Sequence, residues 1–416
     1  MLTILKTFVS RFLILILSFG LVIFSTQYWG SEGKGMISIM IANAAIVSFF
    51  SSIFAGSSTS YFASKFQTEQ ILTYSYLWSL LTGITVPLLF SFSEVQSAYT
   101  FYLIGISIFS ALLSVNVNLF IGIRNIKMFN IYTVLQQLLH VIFLFGFIFI
   151  LNLKEVSVYF TAQIFCLALL FLISFFQILK KCTFSNFGMS SEVFKNMFDY
   201  GWKNQLSALV QFLNYRLSFY FLEHYEGISA VGIFSVGITF AEAIWTITRS
   251  IAVILYSEVI NSKSRDESIL KTKNSLKISF SLMLVFLLGI IIIPASAYVL
   301  IFGSAFHGTK QIMLILSPGI FAIAVSDMVG YYFSGIKELK ILNIKSTAGL
   351  IVTIVLSIIL IPQYGIYGAG IATVASYCLS AFILFYHFYR STPFRFKDFL
   401  ISKNDIADLK LKFLKK

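Results

Sequence analysis

Glu242, Trp245 and Arg249 recur in the stretch EAIWTITR at intervals of three and four, so a helix would carry all three on one face. Seven residues part the two charges, about 10 Å along a helix axis at 1.5 Å rise per residue, too far for a direct bond. Just upstream, Gln211, Asn214 and Tyr215 repeat at three and one and share a second face, with Arg216 beside them. Asp327 is a further acid within an apolar run. Carboxylates and guanidinium groups in such surroundings are costly, by a few kcal/mol each on insertion scales, and so mark a functional site or a paired structural one. Two readings stay open at each position. Either these groups line a polar cavity, or they neutralise one another across helices and fix packing. Arg216 has a third option, snorkelling to an interface. Asp327 either pairs with a cation or accepts a proton.

The chemistry available to such a set is recognition. Arginine binds phosphate through charge-assisted, bidentate hydrogen bonds, and amides and aromatic faces suit sugars. Weaker candidates lie in the first half: Asn43, Asn116, Asn118, Arg11 and Arg124, and the pair Gln136 and His140 at i, i+4. Arg11 and Arg124 fit headgroup anchors equally well, and His140 fits a hydrogen-bonded packing residue. The chain contains no phosphate-binding loop of the G-x-x-x-x-G-K-[ST] type and no metal-ligand spacing. No cofactor is expected, and no enzyme activity. Cys166, Cys182 and Cys378 are scattered and give no disulfide framework.

The elements that must hold these residues follow from composition. Of 416 residues 58% are hydrophobic and 11% charged, with a mean hydropathy of +0.88. A soluble domain is nearer about 25% charged, so lipid is the solvent expected here. A window of about 20 residues gives twelve spans: 9–28, 36–62, 71–92, 99–123, 131–152, 157–179, 199–222, 228–254, 276–301, 311–335, 342–361 and 365–390. The second and seventh are the most polar. The net charge of +13 does not point to nucleic acid, because its cations sit in short runs between spans. Of the 30 Lys and Arg, only Lys34, Lys154 and Lys310 fall in the loops of one side, and Arg216 and Arg249 fall within spans; the rest share the other side. That asymmetry puts both termini in the cytoplasm.

The expected organisation is an all-α integral membrane protein: an N-terminal lobe over 1–180, a cytoplasmic linker over 181–198, a C-terminal lobe over 199–390 and a basic cytoplasmic tail over 391–416. A parallel repeat of six-helix halves is hinted at by Gly35-Met36-Ile37-Ser38 against Gly232-Ile233-Phe234-Ser235, and by Pro87 against Pro294.

The stretch 213–260 resembles helices seven and eight of bacterial O-antigen and other oligosaccharide-lipid flippases of the multidrug/oligosaccharidyl-lipid/polysaccharide exporter superfamily. The residues that carry the likeness are Asn214-Tyr215-Arg216, Val231-Gly232-Ile233-Phe234-Ser235, Glu242 and Trp245. LIFGSAFHGTKQIMLILSP (300–318) and PQYGIYGAGIATVASY (362–377) add to it. A proline that many members carry near the inner end of helix eight is missing. The resemblance implies twelve transmembrane helices in two six-helix lobes around a central cavity, open to each side in turn. It implies an undecaprenyl-pyrophosphate-linked oligosaccharide as substrate, membrane lipids around it, and a polysaccharide polymerase complex as a possible partner. Arg216, Arg249 and Arg124, with Asn214, Gln211 and Trp245, would line the cavity. Glu242 or Asp327 would couple transport to an ion gradient or to the membrane potential. The alternative within the superfamily, a multidrug-type exporter of organic cations, would want acids to dominate the cavity.

Overall fold

The computed structural model describes residues 2–90, 98–180, 182, 188–338 and 340–399, with backbone alone at 2–11, 207, 396 and 397. The described residues are helical almost throughout and include no strand. Among the described residues nine helices are long and apolar enough to cross a membrane. The α-helices are α1 (Leu2–Ala55), α2 (Ser57–Phe62), α3 (Thr68–Leu88), α4 (Thr100–Gly122), α5 (Ile126–Phe145), α6 (Ser157–Leu179), α7 (Ser191–Glu226), α8 (Ile228–Ile260), α9 (Arg265–Ile292), α10 (Ala295–Phe302), α11 (Thr309–Gly335) and α12 (Lys340–Ser391).

The two longest, α1 and α12, are each broken by one glycine. Gly30 has φ 67° and Gly365 φ 53°, a region that side chains with a Cβ seldom enter. The kink at Gly30 falls in the gap that the sequence leaves between spans at 29–35, and the kink at Gly365 falls at the first residue after the gap at 362–364. Elsewhere the ends follow local chemistry. Ser264 caps α9 by accepting from Glu267 N at 3.2 Å, and Glu267 Oε2 accepts in turn from Lys263 N at 2.9 Å. Asn125 Oδ1 caps α5 through Met128 N. Pro294, which has no N–H to donate, ends α9 and starts α10 where the sequence suggests one span over 276–301.

The chain divides into two compact units: residues 1–29 with 36–209, and residues 30–35 with 210–416. The division falls inside α7, which is polar along its length and is not among the nine apolar helices. In the first unit α4 packs between α3 and α6, and buried polar groups cross-link the helices. Tyr76 donates to Asn116 Oδ1 at 2.5 Å, and Asn116 Nδ2 donates to Ser174 Oγ at 2.7 Å. Ser51 and Thr82 hydroxyls pair at 2.8 Å. His140 is buried, with Nε2 3.3 Å from the Tyr159 carbonyl.

In the second unit α11 packs on α8 and α12. The 30–35 segment of α1 lies against α8 at backbone contact. A Cβ on Gly35 would fall 1.9 Å from the Ile228 carbonyl oxygen, and one on Gly232 would fall 1.9 Å from that of Ser31. Ser31 and Ser229 hydroxyls meet beside them at 2.7 Å. The two glycines that the sequence aligns as repeat equivalents therefore touch each other. Residues 394–399, part of the expected cytoplasmic tail, pack on α9. Lys273 Nζ lies 2.8 Å from Asp398 Oδ2 and donates to the Pro393 carbonyl at 2.7 Å. Phe394 is buried against Phe385, Phe388 and Phe399. The rest of that tail, 400–416, and the Arg11 side chain lie outside the described residues.

Candidate functional site

The second unit gathers most of the residues singled out in the sequence. Arg216 on α7 reaches Glu242 on α8, Nη2 to Oε1 at 2.6 Å, and its guanidinium lies 5.0 Å from the Phe219 ring centre. Arg249, two turns further along α8, lies with Nε 3.6 Å from Asp327 Oδ2 on α11. That distance is an ion pair without a proper hydrogen bond, and Asp327 Oδ2 is buried with no hydrogen-bond partner among the described residues. So Glu242 and Arg249 do not pair with each other; each takes its partner from a neighbouring helix. Neither pair is sealed. The Glu242 side chain is 38% exposed and that of Arg249 48%.

Trp245 lies between these charges on the α8 face. It is buried, with Tyr215 and Tyr377 ring centres at 5.8 and 5.5 Å. Tyr215 and Tyr377 are themselves 5.5 Å apart, edge to face. The Arg249 guanidinium stands 6.0 Å from the Tyr215 ring centre, at the limit of a cation–π contact. Trp245 Nε1 and the Tyr377 hydroxyl are buried with no hydrogen-bond partner among the described residues. Gln211 donates to the Tyr215 hydroxyl and accepts from Ser346 at 2.8 Å. Asn214 is buried, and its Oδ1 accepts from Thr353 at 2.8 Å and Ser376 at 2.6 Å, so it ties α7 to α12.

Arg124 is not a residue of this unit. It belongs to the first unit, in the turn between α4 and α5, exposed and with φ 60°.

Two cations join the site that sequence reasoning had counted with the loop charges. Lys34, expected on the surface, is buried in α1 and interacts electrostatically with Arg216 and Glu242. Lys345, near the start of α12, is 3.3 Å from Ser326 Oγ and interacts with Asp327 and Arg249. The Gly-Lys-Gly run at 33–35 was a usable signal for the first, since glycines flanking a lysine permit close helix contact. The position of Lys345 five residues into a helix was the signal for the second. The site thus holds four cations, Lys34, Arg216, Arg249 and Lys345, against two carboxylates. Two formal positive charges are in excess among polar and aromatic side chains, an arrangement that binds anions. Among the described residues no cluster of His, Cys, Asp or Glu could hold a metal ion.

The similar solved structures are membrane transporters. A lipid II flippase, MurJ, in an inward closed conformation superposes with a TM-score of 0.73 at 17% identity, covering 100% of this chain and 93% of that one. An inward-facing multidrug resistance MATE family transporter of the MOP superfamily gives 0.69 at 16% identity, over 91% and 94%. A MOP superfamily transporter from Pyrococcus furiosus gives 0.55 at 17%, over 94% and 92%. No family model and no curated protein matches the sequence. The chain is a multi-pass membrane protein with the fold of MOP-type transporters.

Proposed function

We propose that the chain flips undecaprenyl-pyrophosphate-linked oligosaccharide repeat units from the cytoplasmic to the periplasmic leaflet of a bacterial inner membrane, for surface polysaccharide such as O-antigen. The observation that carries this is the surplus of two positive charges in the second unit's interior. A pyrophosphate linkage is the complement of that surplus, whereas an organic cation would be repelled by it. MurJ, a flippase of a lipid-linked substrate, shares the fold.

In this reading the kinks at Gly30 and Gly365 let α1 and α12 each cross twice, and with α7 the nine apolar helices make twelve crossings in two six-helix lobes, both termini cytoplasmic. Lys34, Arg216, Arg249 and Lys345 hold the pyrophosphate as the pairs with Glu242 and Asp327 exchange partners. Gln211 and the Tyr215–Trp245–Tyr377 cluster form the wall that sugars slide along, with Asn214 bracing it. Arg124 meets anionic headgroups at the cytoplasmic face. Asp327, with an oxygen that makes no hydrogen bond, is the protonation point for ion coupling, with Glu242 second. Alternating access moves the site from one side to the other, and a polysaccharide polymerase takes the product.

Deleting the gene in its host tests this. Surface polysaccharide should vanish while single lipid-linked repeat units accumulate in the cytoplasmic leaflet. Unchanged polysaccharide with raised sensitivity to cationic drugs would replace the flippase by an exporter.

A further inference from the structure

A second hollow, of about 400 Å³, opens in the second unit between the C-terminus of α7, the 303–308 segment and the kink of α12. Its size is in the lower part of the range for small-molecule sites, roughly 300–1,000 Å³. Tyr364 and Tyr367 line it, both exposed, with Glu226 and His307. The α12 kink makes room for the acid: a Cβ on Gly365 would lie 3.1 Å from the Glu226 carboxyl carbon. Among the described residues no hydrogen bond or ion pair engages the Glu226 carboxylate, so both oxygens are available as acceptors. The Tyr367 hydroxyl donates to Gln311 Oε1 at 2.5 Å, which sets the Gln311 amide, with its N–H donors, beside the lining residue Tyr367. His307 engages the Ser304 carbonyl only weakly, Nδ1 to O at 3.4 Å, and presents Nε2.

Aromatic faces beside a free carboxylate, an amide and an imidazole are what a pyranose requires. Its C–H face packs on a ring, and its hydroxyls need both acceptors and donors. The segments that frame the hollow carry a single lysine, Lys310, which places this end of the unit on the periplasmic side. We propose that this hollow is a glycan subsite, distinct from the interior charged site, that takes one neutral or N-acetylated sugar ring as the oligosaccharide leaves. The proposal rests on the flippase reading for its occupant. Glu226 sets the specificity: it accepts from hydroxyl or amide N–H groups and repels a uronate.

The purified full chain in lipid nanodiscs is probed by saturation-transfer NMR with methyl β-glucopyranoside, methyl N-acetyl-β-glucosaminide, methyl β-glucuronide and tetramethylammonium. Transfer is expected to the first two, and roughly fivefold less to the glucuronide, a contrast of about one charge repulsion at an exposed site; tetramethylammonium, which the carboxylate attracts but which has no hydroxyl or amide to bond, reports a cation site instead. The paired change Tyr364→Ala with Tyr367→Ala should remove the signal, the corresponding Phe pair should keep it, and Glu226→Gln should admit the glucuronide. No transfer to any glycoside overturns the subsite, as does a signal that survives the Ala pair or is strongest for tetramethylammonium. Should deletion of the gene accumulate repeat units while the NMR is silent, only the subsite fails. Should deletion leave the polysaccharide intact, the flippase reading fails, and the NMR still reports what the hollow binds.

Discussion

Replacing Gly232 by alanine should prise the 30–35 segment of α1 away from α8. The new Cβ would lie 1.9 Å from the Ser31 carbonyl oxygen, and ordinary contact begins at 3.4 Å, so the backbones must part by about 1.5 Å. The obstacle is a main-chain oxygen, which has no rotamer to escape into, and overpacking of this kind costs about 1–3 kcal/mol, here at the upper end. Alanine also favours the helix by about 1 kcal/mol over glycine. The net is about 2 kcal/mol against the contact, close to thirtyfold in its population. The neighbouring hydroxyls supply the assay. Ser31→Cys with Ser229→Cys, in a chain lacking its three native cysteines, puts thiols where two oxygens meet at 2.7 Å, near enough for a disulfide. Oxidation followed by mass spectrometry of the linked peptides should show ready cross-linking, slowed about thirtyfold by Gly232→Ala. Gly237→Ala, whose Cβ would meet only movable side chains of Ile312 and Leu316, should not slow it. A cross-link that never forms, or one indifferent to Gly232→Ala, would refute the contact.

Three further outcomes follow from the same reasoning. Lys34→Met or Lys345→Met removes one of the two surplus charges and should lower repeat-unit export by about tenfold, a loss of about 1.4 kcal/mol, measured against protein level in the membrane. Asn116→Ala removes two buried side-chain hydrogen bonds in the first unit. At about 0.6 kcal/mol for a typical bond within a membrane, and up to about 1.7, it should destabilise by about 1–2 kcal/mol, read as a lower melting temperature in detergent. At Asp398 burial works to raise the carboxyl's pKa, but hydrogen bonding and charge from Lys273 outweigh it and hold it below the ordinary 3.8. A depressed pKa stabilises above the ordinary value and ceases to do so as pH falls through the lowered one. Hydrogen exchange at 394–399, corrected for intrinsic rate, should therefore stay slow at pH 6 and quicken below about pH 4, and Asp398→Asn should show the quick rate at both.

Much of this was legible in the residues. Apolar runs gave away the helices because a bilayer leaves a backbone few alternatives; Gly30 fell in a gap between runs, and Gly365 at the first residue after one. The 3–4 spacing put Glu242, Trp245 and Arg249 on one face, as found. What spacing could not supply was partners: Arg216 and Asp327 lie 26 and 78 residues from the groups they pair with, and nothing local encodes such a match. Lys34 escaped notice because it fell in the gap between two windows, and Lys345 because a cation at the end of a span was counted with the loop charges. Trimming α7 to an apolar core hid that it starts at Ser191.

The clamp of residues 393–399 on α9 has a bearing on how the chain is made. These residues leave the ribosome after all the described α-helices of the second unit. Until they arrive, Lys273 lacks its carboxylate and the aromatic cluster of Phe280, Phe385 and Phe388 lacks Phe394 and Phe399. A nascent chain stopped at the end of α12 would therefore leave Phe280, Phe385 and Phe388 uncovered to quality-control proteases until residues 393–399 close over them.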